Sequence, residues 1–171
     1  MNIIPMIGVI GDSEIDCQDL VELAYKIGQL IAKKGAALVC GGRTGVMEFA
    51  CKGAFDAGGL TIAILPTHKK SDANSFCKIR IPTGLGWARN SLVVLASDVV
   101  IAIGGKSGTL SEIAYAWMYE KPIIALTSKL VKGWSTELAG KKIDDRRDNA
   151  IIPADSAEKA IDIAFKIIEK C

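Results

Sequence analysis

Residues 98–109 have the sequence DVVIAIGGKSGT, and this stretch decides the fold. Its first half is an almost unbroken apolar run, the pattern of a strand that is buried on both faces. Its second half is a glycine-rich turn, after which the sequence predicts a helix to about Tyr119. A strand that passes through a glycine turn into a helix is the repeating unit of an α/β protein.

The same unit recurs along the chain. Further apolar runs predict strands at residues 5–10, 36–40, 60–65, 78–81 and 122–126. Strands that are apolar on both faces and alternate with helices form a parallel sheet that is covered on both sides. The sequence therefore predicts one α/β domain over residues 1–171, with a doubly wound parallel sheet and helices on both faces.

Three local features extend this prediction towards the C-terminus. Thr83 is expected to cap a helix that runs to about Ala96, and the capping box Asp155-x-x-Glu158 is expected to begin the last helix. Residues 133–149 are mixed in charge, and we expect them to be irregular.

The composition excludes several classes of protein. The chain has 171 residues, and its 21 Lys and Arg against 19 Asp and Glu give a net charge of +2. So balanced a charge does not indicate a nucleic-acid partner. Half of the residues are apolar, which excludes general disorder, but no apolar run reaches the ~20 residues of a membrane span. Because the N-terminus also lacks a signal-peptide pattern, we expect a cytoplasmic protein without a membrane partner.

The cysteines give no sign of a metal site. Their number is odd and none form a C-x-x-C pair, the spacing typical of zinc sites; they are Cys17, Cys40, Cys51, Cys77 and Cys171. We expect free thiols in a reducing compartment, with Cys40 and Cys51 as small core residues. No metal and no required cofactor is predicted.

Three glycine-containing loops are candidates for ligand binding. In a parallel sheet, ligands bind beyond the carboxyl ends of the strands, where backbone N–H groups and helix N-termini attract anions. Arg43 adds a guanidinium that suits bidentate phosphate contact. The alternative is that the glycines only make tight turns, but three such loops on one edge favour an anion site. The predicted ligand-binding residues are Gly11, Asp12, Ser13, Gly41, Gly42, Arg43, Thr44, Gly45, Gly104, Gly105, Gly108 and Thr109.

Two well-known nucleotide-binding motifs do not fit these loops. Gly105-Lys106-Ser107 resembles the end of the Walker A motif, but Val100 stands where that motif needs its first glycine. The first loop has Gly8-x-x-Gly11 instead of G-x-G-x-x-G, and no acidic residue closes the second strand to hold a ribose. An ATPase and an NAD-dependent dehydrogenase are therefore poor interpretations.

Two charged residues are candidates for catalysis. Glu112 falls one turn into the helix that follows Gly104, close to the predicted ligand; alternatively, Thr109-x-x-Glu112 is a capping box that serves only the helix. Arg89 precedes the strand that leads to this loop, and its alternative is an ordinary surface arginine.

These residues carry a resemblance to a known family. The segment 41–47, followed by Gly58-Gly59, resembles the G-G-G-x-x-G-L-M…G-G segment of the LOG-type proteins, which are cytokinin riboside 5′-monophosphate phosphoribohydrolases. Residues 104–112 are similar to the family's P-G-G-x-G-T-x-E-E motif, and Arg89 matches the arginine of its R-K pair. The resemblance runs from about residue 5 to residue 126, in the family's order.

Several departures from the LOG pattern resemble a sister branch. Ile103 replaces a proline, Asn90 replaces a lysine, Glu48 replaces a glycine, and one extra residue lies between Gly105 and Gly108. The sister branch holds nucleotide-binding proteins of uncharacterised function and is similar to molybdenum-cofactor carrier proteins. The resemblance implies a Rossmann-like fold, a homodimer or higher homo-oligomer, and a phosphorylated purine- or pterin-like ligand.

Two functions from different classes follow as expectations. In the first, the protein binds a nucleoside 5′-monophosphate and hydrolyses its N-glycosidic bond, with Glu112 and Arg89 as the catalytic pair that the resemblance implies. In the second, it is a carrier or sensor of molybdenum cofactor or of a nucleotide, and it does not convert its ligand. A third interpretation is a module that binds a peptide or protein partner through residues 133–149.

Overall fold

The structure, a computed structural model, describes residues 3–170. Its strands are β1 Met6–Gly11, β2 Ala37–Cys40, β3 Thr61–Leu65, β4 Ile79–Pro82, β5 Val99–Ile103, β6 Ile123–Leu126 and β7 Ile152–Ala154. Its helices are α1 Gln18–Lys33, α2 Val46–Asp56, α3 Asn90–Leu95, α4 Ser107–Met118, α5 Trp134–Leu138 and α6 Ala157–Ile168. Short 3₁₀ helices span Lys70–Asp72 and Gly86–Arg89.

The strands join into one parallel sheet in the order β4-β3-β2-β1-β5-β6-β7. All residues of the central strands β2 and β5 are buried, as their apolar sequences predict. One face of the sheet packs against apolar side chains of α1, α2 and α6, and the other against those of α3 and α4. The predicted Rossmann-like α/β fold, with helices on both faces, is confirmed.

The order of the strands creates a switch point between β1 and β5. After β1 the chain continues through α1 to β2 on one side, whereas after β5 it continues through α4 to β6 on the other side. The loops that follow β1 and β5 therefore diverge above the sheet and leave a crevice, the usual position of a ligand in an open α/β sheet.

Three local predictions are wrong. The Thr83 hydroxyl donates a hydrogen bond of 2.7 Å to the carbonyl of Leu65 at the end of β3, and the helical segment starts only at Gly86. Ser156, not Asp155, caps α6, because its side chain accepts a hydrogen bond from the amide of Lys159. Residues 133–149 contain the short helix α5.

The prediction also missed β7, which pairs with β6 at the edge of the sheet. None of the helices within residues 3–170 is long and apolar enough to cross a membrane.

Candidate ligand-binding site

A cleft of ≈ 680 Å³ opens at the switch point, between the loops that follow β1, β2 and β5. Nine of the residues predicted from the sequence line it: Gly11, Asp12, Ser13, Arg43, Thr44, Arg89, Gly108, Thr109 and Glu112. The other predicted residues are not among its lining: Gly41, Gly42, Gly45, Gly104 and Gly105. The three predicted loops thus meet at one site, but five of their glycines do not line the cleft.

Hydrogen bonds inside the protein explain the supporting role of three glycines. The Gly42 amide donates to Sγ of Cys40 over 3.2 Å, and the Gly104 amide donates to Oγ of Ser135 over 2.7 Å. The Gly105 amide donates to Oδ2 of Asp12 over 2.9 Å, which ties the β5 loop to the β1 loop. Because these amides already have acceptors, we do not assign them contacts to a ligand phosphate.

The N-terminus of α4 supplies amides at the cleft instead. Both α2 and α4 begin without a side-chain cap from any described residue. Ser107, Gly108 and Thr109 form the first turn of α4 and line the cleft. The first amides of an α-helix have no acceptor within the helix, and the helix dipole adds partial positive charge there. This end of α4 therefore suits an anion.

Arg43 adds an exposed positive charge to the same cleft. Its side chain is exposed, and no acidic side chain within residues 3–170 forms an ion pair with it. Its backbone is fixed, because its carbonyl accepts a hydrogen bond of 2.9 Å from Nδ2 of Asn74. An exposed guanidinium on an anchored loop is suited to contact a phosphate.

Arg89 and Glu112 form a buried ion pair at the base of the cleft. Nη1 of Arg89 lies 3.5 Å from Oε1 of Glu112, and the two side chains are only 7% and 8% exposed. Burial raises the pKa of Glu112 to about 7, although the positive charge of Arg89 opposes this rise. Burial also lowers the pKa of Arg89, against the attraction of Glu112. For both groups, the lost hydration changes the pKa more than the charge of the partner does.

Gly41 holds the guanidinium of Arg89 in place. Its carbonyl accepts a hydrogen bond of 3.4 Å from Nη2 of Arg89, and a Cβ at this position would overlap the guanidinium nitrogens. Glycine at position 41 thus makes room for Arg89. The Nε of Arg89 is buried and has no hydrogen-bond partner among the described residues.

The alternative roles considered for Glu112 and Arg89, a helix capping box and a surface arginine, are both wrong. Helix α4 begins at Ser107, with Lys106 as its N-cap, so Thr109 and Glu112 lie inside the helix and do not form a capping box. Arg89 is buried and is not a surface arginine. The structure therefore brings together the two residues that the resemblance marked as catalytic, across 23 positions of sequence.

Several lining residues were not predicted as ligand contacts: Glu14, Met47, Pro66, Thr67, Gly86, Trp87, Asn90, Lys106 and Ser107. Trp87 is 81% exposed, so it presents an aromatic face at the cleft. Lys106 and Glu14 form an exposed ion pair of 3.1 Å. Asn90, which replaces the family's lysine, donates from Nδ2 to Oγ of Ser111 over 2.8 Å and thus supports α4. Two signals in the sequence were available: Trp87 is close to Arg89, and Lys106 and Ser107 lie in the predicted loop that starts at Gly104.

The fold and the cleft together define a Rossmann-like α/β protein with a ligand site at the switch point of its sheet. The chain belongs to the SLOG cluster4 family, whose sequence model matches residues 4–161.

Three proteins illustrate what the chain is similar to. The molybdenum cofactor binding protein of Rippkaea orientalis is 44% identical, with a TM-score of 0.85 over 96% of this chain and 98% of its own. The Moco carrier protein of Chlamydomonas reinhardtii is 31% identical, with a TM-score of 0.82 over 98% and 99%. A cytokinin riboside 5′-monophosphate phosphoribohydrolase of Mycobacterium tuberculosis is 31% identical over 62% of each chain. These findings confirm the resemblance to both groups of proteins.

Proposed function

We propose that the cleft binds a phosphorylated ligand of the molybdopterin type and that the protein carries this ligand without converting it. The observation that carries the proposal is the pairing of an uncapped N-terminus of α4 with the exposed side chain of Arg43 in one cleft. The two molybdenum-cofactor proteins described above match nearly the whole chain, which supports this ligand class.

The residues of the cleft fit such a ligand. A volume of ≈ 680 Å³ lies in the range of sites that enclose small molecules of this size. The α4 N-terminus and Arg43 would hold the phosphate. The exposed ring of Trp87 would stack on the fused pterin rings.

A second candidate function is hydrolysis of a nucleoside 5′-monophosphate, which the Arg89–Glu112 pair favours. Glu112 as a carboxylate would take a proton from water while the water oxygen bonds to C1′ of the ribose. The N-glycosidic bond would break, and its electron pair would leave with the base, which takes up a proton. The products would be the free base and ribose 5-phosphate. Arg89 would position the phosphoribosyl group.

The ligand that co-purifies with the protein tests the first candidate. We expect liquid chromatography and mass spectrometry of the heat-denatured protein to reveal a phosphorylated pterin. Titration with cofactor released from a molybdoenzyme should then give one site per chain, with a change in the fluorescence of Trp87 that is lost in Trp87→Phe. Tight binding of AMP together with no binding of the pterin would contradict the proposal.

We also propose that the protein forms a homodimer or higher homo-oligomer in the cytoplasm. Leu95, Met118 and Tyr119 lie at the neighbouring ends of α3 and α4 and are more than 40% exposed, which supports a self-association surface there. The free thiols of Cys17, Cys40, Cys51 and Cys77 fit a reducing compartment. Light scattering at micromolar concentration should give at least twice the chain mass, and Met118→Glu should reduce it.

A further inference from the structure

Three cysteines meet in the core although the sequence keeps them apart. Cys40 ends β2, Cys51 lies in α2, and Cys77 precedes β4. The Sγ atoms of Cys40 and Cys51 are 3.4 Å apart, and those of Cys51 and Cys77 are 3.7 Å apart. All three sulfur atoms lie within 4.8 Å of one another. The three cysteines form no C-x-x-C pair in the sequence, so only the tertiary structure brings their sulfur atoms together.

The separations between the sulfur atoms fit three ligands of one ion. Metal–sulfur bonds of about 2.3 Å in a trigonal plane place the sulfur atoms about 4.0 Å apart. The observed distances of 3.4 and 3.7 Å need only a small expansion to reach that value. The site is also shielded from water, because Cys40 and Cys51 are fully buried and Cys77 is 4% exposed.

A backbone N–H group and two guanidinium groups lie near the cluster. The Gly42 amide donates a hydrogen bond of 3.2 Å to Sγ of Cys40. The positive charges of Arg80 and Arg89 act on Cys77 and Cys40, respectively.

The donor set selects the kind of ion. Thiolates are soft ligands that bind Cu(I) and Zn²⁺. Structural zinc sites take four protein ligands, whereas the cluster within the described residues offers three thiols and no histidine or carboxylate. Three thiolates around a monovalent ion leave a charge of about −2. Arg80 supplies one positive charge near the cluster, whereas the charge of Arg89 is already paired with Glu112.

We propose that Cys40, Cys51 and Cys77 bind one Cu(I) ion. On binding, three sulfur–copper bonds form, the S–H protons pass to solvent, and no electron is transferred. None of the three cysteines lines the cleft, so the copper site would share no ligand residue with it.

Anaerobic titration of the reduced protein with Cu(I), in competition with a chromophoric Cu(I) chelator, tests the proposal. We expect one Cu(I) per chain, a new near-ultraviolet charge-transfer band, and three sulfur neighbours by X-ray absorption. Cys51→Ser and Cys77→Ser should each lower the affinity at least a hundredfold. Cys17→Ser is the matched control, because Cys17 is a free cysteine that does not belong to the cluster, and the variant should keep the site.

The cluster variants also need a check of folding. Circular dichroism and the unfolding midpoint identify any variant that fails to fold, and Cys77→Ala then provides the comparison at the least buried position. Wild-type protein that leaves all Cu(I) with the chelator would overturn the proposal. So would Cu(I) binding that survives in folded Cys51→Ser and Cys77→Ala, or copper with fewer than three sulfur neighbours.

Discussion

Nη1 of Arg89 lies 3.5 Å from Oε1 of Glu112 in a pair that is almost completely withdrawn from water. Burial opposes the charge on both partners, since it raises the pKa of Glu112 and lowers that of Arg89. A buried pair of this kind contributes little to stability, because desolvation offsets the attraction between the charges. Perturbed ionisable groups in a cleft are typical of functional sites. The burial and the perturbed pKa values of the pair therefore support a functional role for it.

The raised pKa of Glu112 makes stability depend on pH. Folding moves this pKa from 4.5 to about 7, so the folded protein binds the proton more tightly than the unfolded chain. The resulting stabilisation is fully present below pH 4.5 and is lost as pH rises through about 7. Its upper limit is about 3 kcal/mol. Urea unfolding at about pH 5 and about pH 8 should show this loss, and Glu112→Gln should flatten it.

A matched acidic variant completes that test. Glu158→Gln changes an exposed carboxyl on α6 and should leave the pH dependence of unfolding unchanged. An equal loss of stability with rising pH in wild type and Glu112→Gln would contradict the assignment.

Gly41→Ala should displace Arg89. The new Cβ would overlap the guanidinium, which is buried and has little room to move. We expect a loss of stability of about 1–3 kcal/mol, the usual effect of overpacking, together with weaker ligand binding. The midpoint of thermal unfolding and calorimetric titration measure the two effects.

Gly108→Ala is the matched control, because a Cβ there meets only the Trp87 ring at an ordinary distance of 3.7 Å. It lies in the first turn of α4, where alanine is the better helix former, and it should leave stability unchanged or raised by up to about 1 kcal/mol. If Gly41→Ala proves as stable as Gly108→Ala, position 41 does not hold Arg89.

Arg43→Ala should weaken ligand binding with little effect on folding. The side chain is exposed and forms no ion pair with a described residue, so its removal disturbs no internal contact. A hydrogen bond to a charged group contributes about 1.5–3 kcal/mol, so its loss should weaken the affinity at least tenfold. Calorimetric titration measures the affinity, and Lys166→Ala on α6 controls for the loss of one positive charge. An unaltered affinity in Arg43→Ala would remove the anion role from this loop.

Ligand binding in the cleft should not require a divalent cation. The three acidic side chains of the lining already have partners: Asp12 accepts from the Gly105 amide, Glu14 pairs with Lys106, and Glu112 pairs with Arg89. The affinity for AMP should therefore be the same in excess EDTA and in Mg²⁺. Binding that EDTA abolishes and Mg²⁺ restores would point to a metal site at Asp12, which Asp12→Asn would then remove.

The sequence predicted the parts of the fold that depend on local pattern. Each apolar run followed by a glycine turn became a strand of the central sheet, because hydrophobic spacing determines which segments are buried. The edge strand β7 was missed because it has three residues and contains Pro153, a residue depleted in strands and tolerated at sheet edges. Thr83 and Asp155 look like helix caps in sequence, but their side chains have other partners in space.

The sequence predicted which loops form the site but not the contacts between them. Their position at the carboxyl edge follows from the fold, and the cleft lies there. Which amides remain free for a ligand depends on distant side chains, such as Asp12 at the Gly105 amide. The close approach of Gly41 to Arg89 and the meeting of three cysteines likewise involve residues far apart in sequence. A local pattern contains no information on such contacts.

Glu112→Gln separates a hydrolase from a carrier. If the protein hydrolyses nucleoside monophosphates, AMP should yield adenine and ribose 5-phosphate, and turnover should rise with pH through about 7 as Glu112 becomes a carboxylate. Glutamine keeps the shape of the side chain but cannot take a proton from water, so turnover should fall by about 10² or more while binding persists. Chromatography of the products measures the rate, and Glu14→Gln, at the exposed mouth of the same cleft, should keep it. Turnover that survives in Glu112→Gln would remove its role as the base, and no release of base from any monophosphate would favour the carrier.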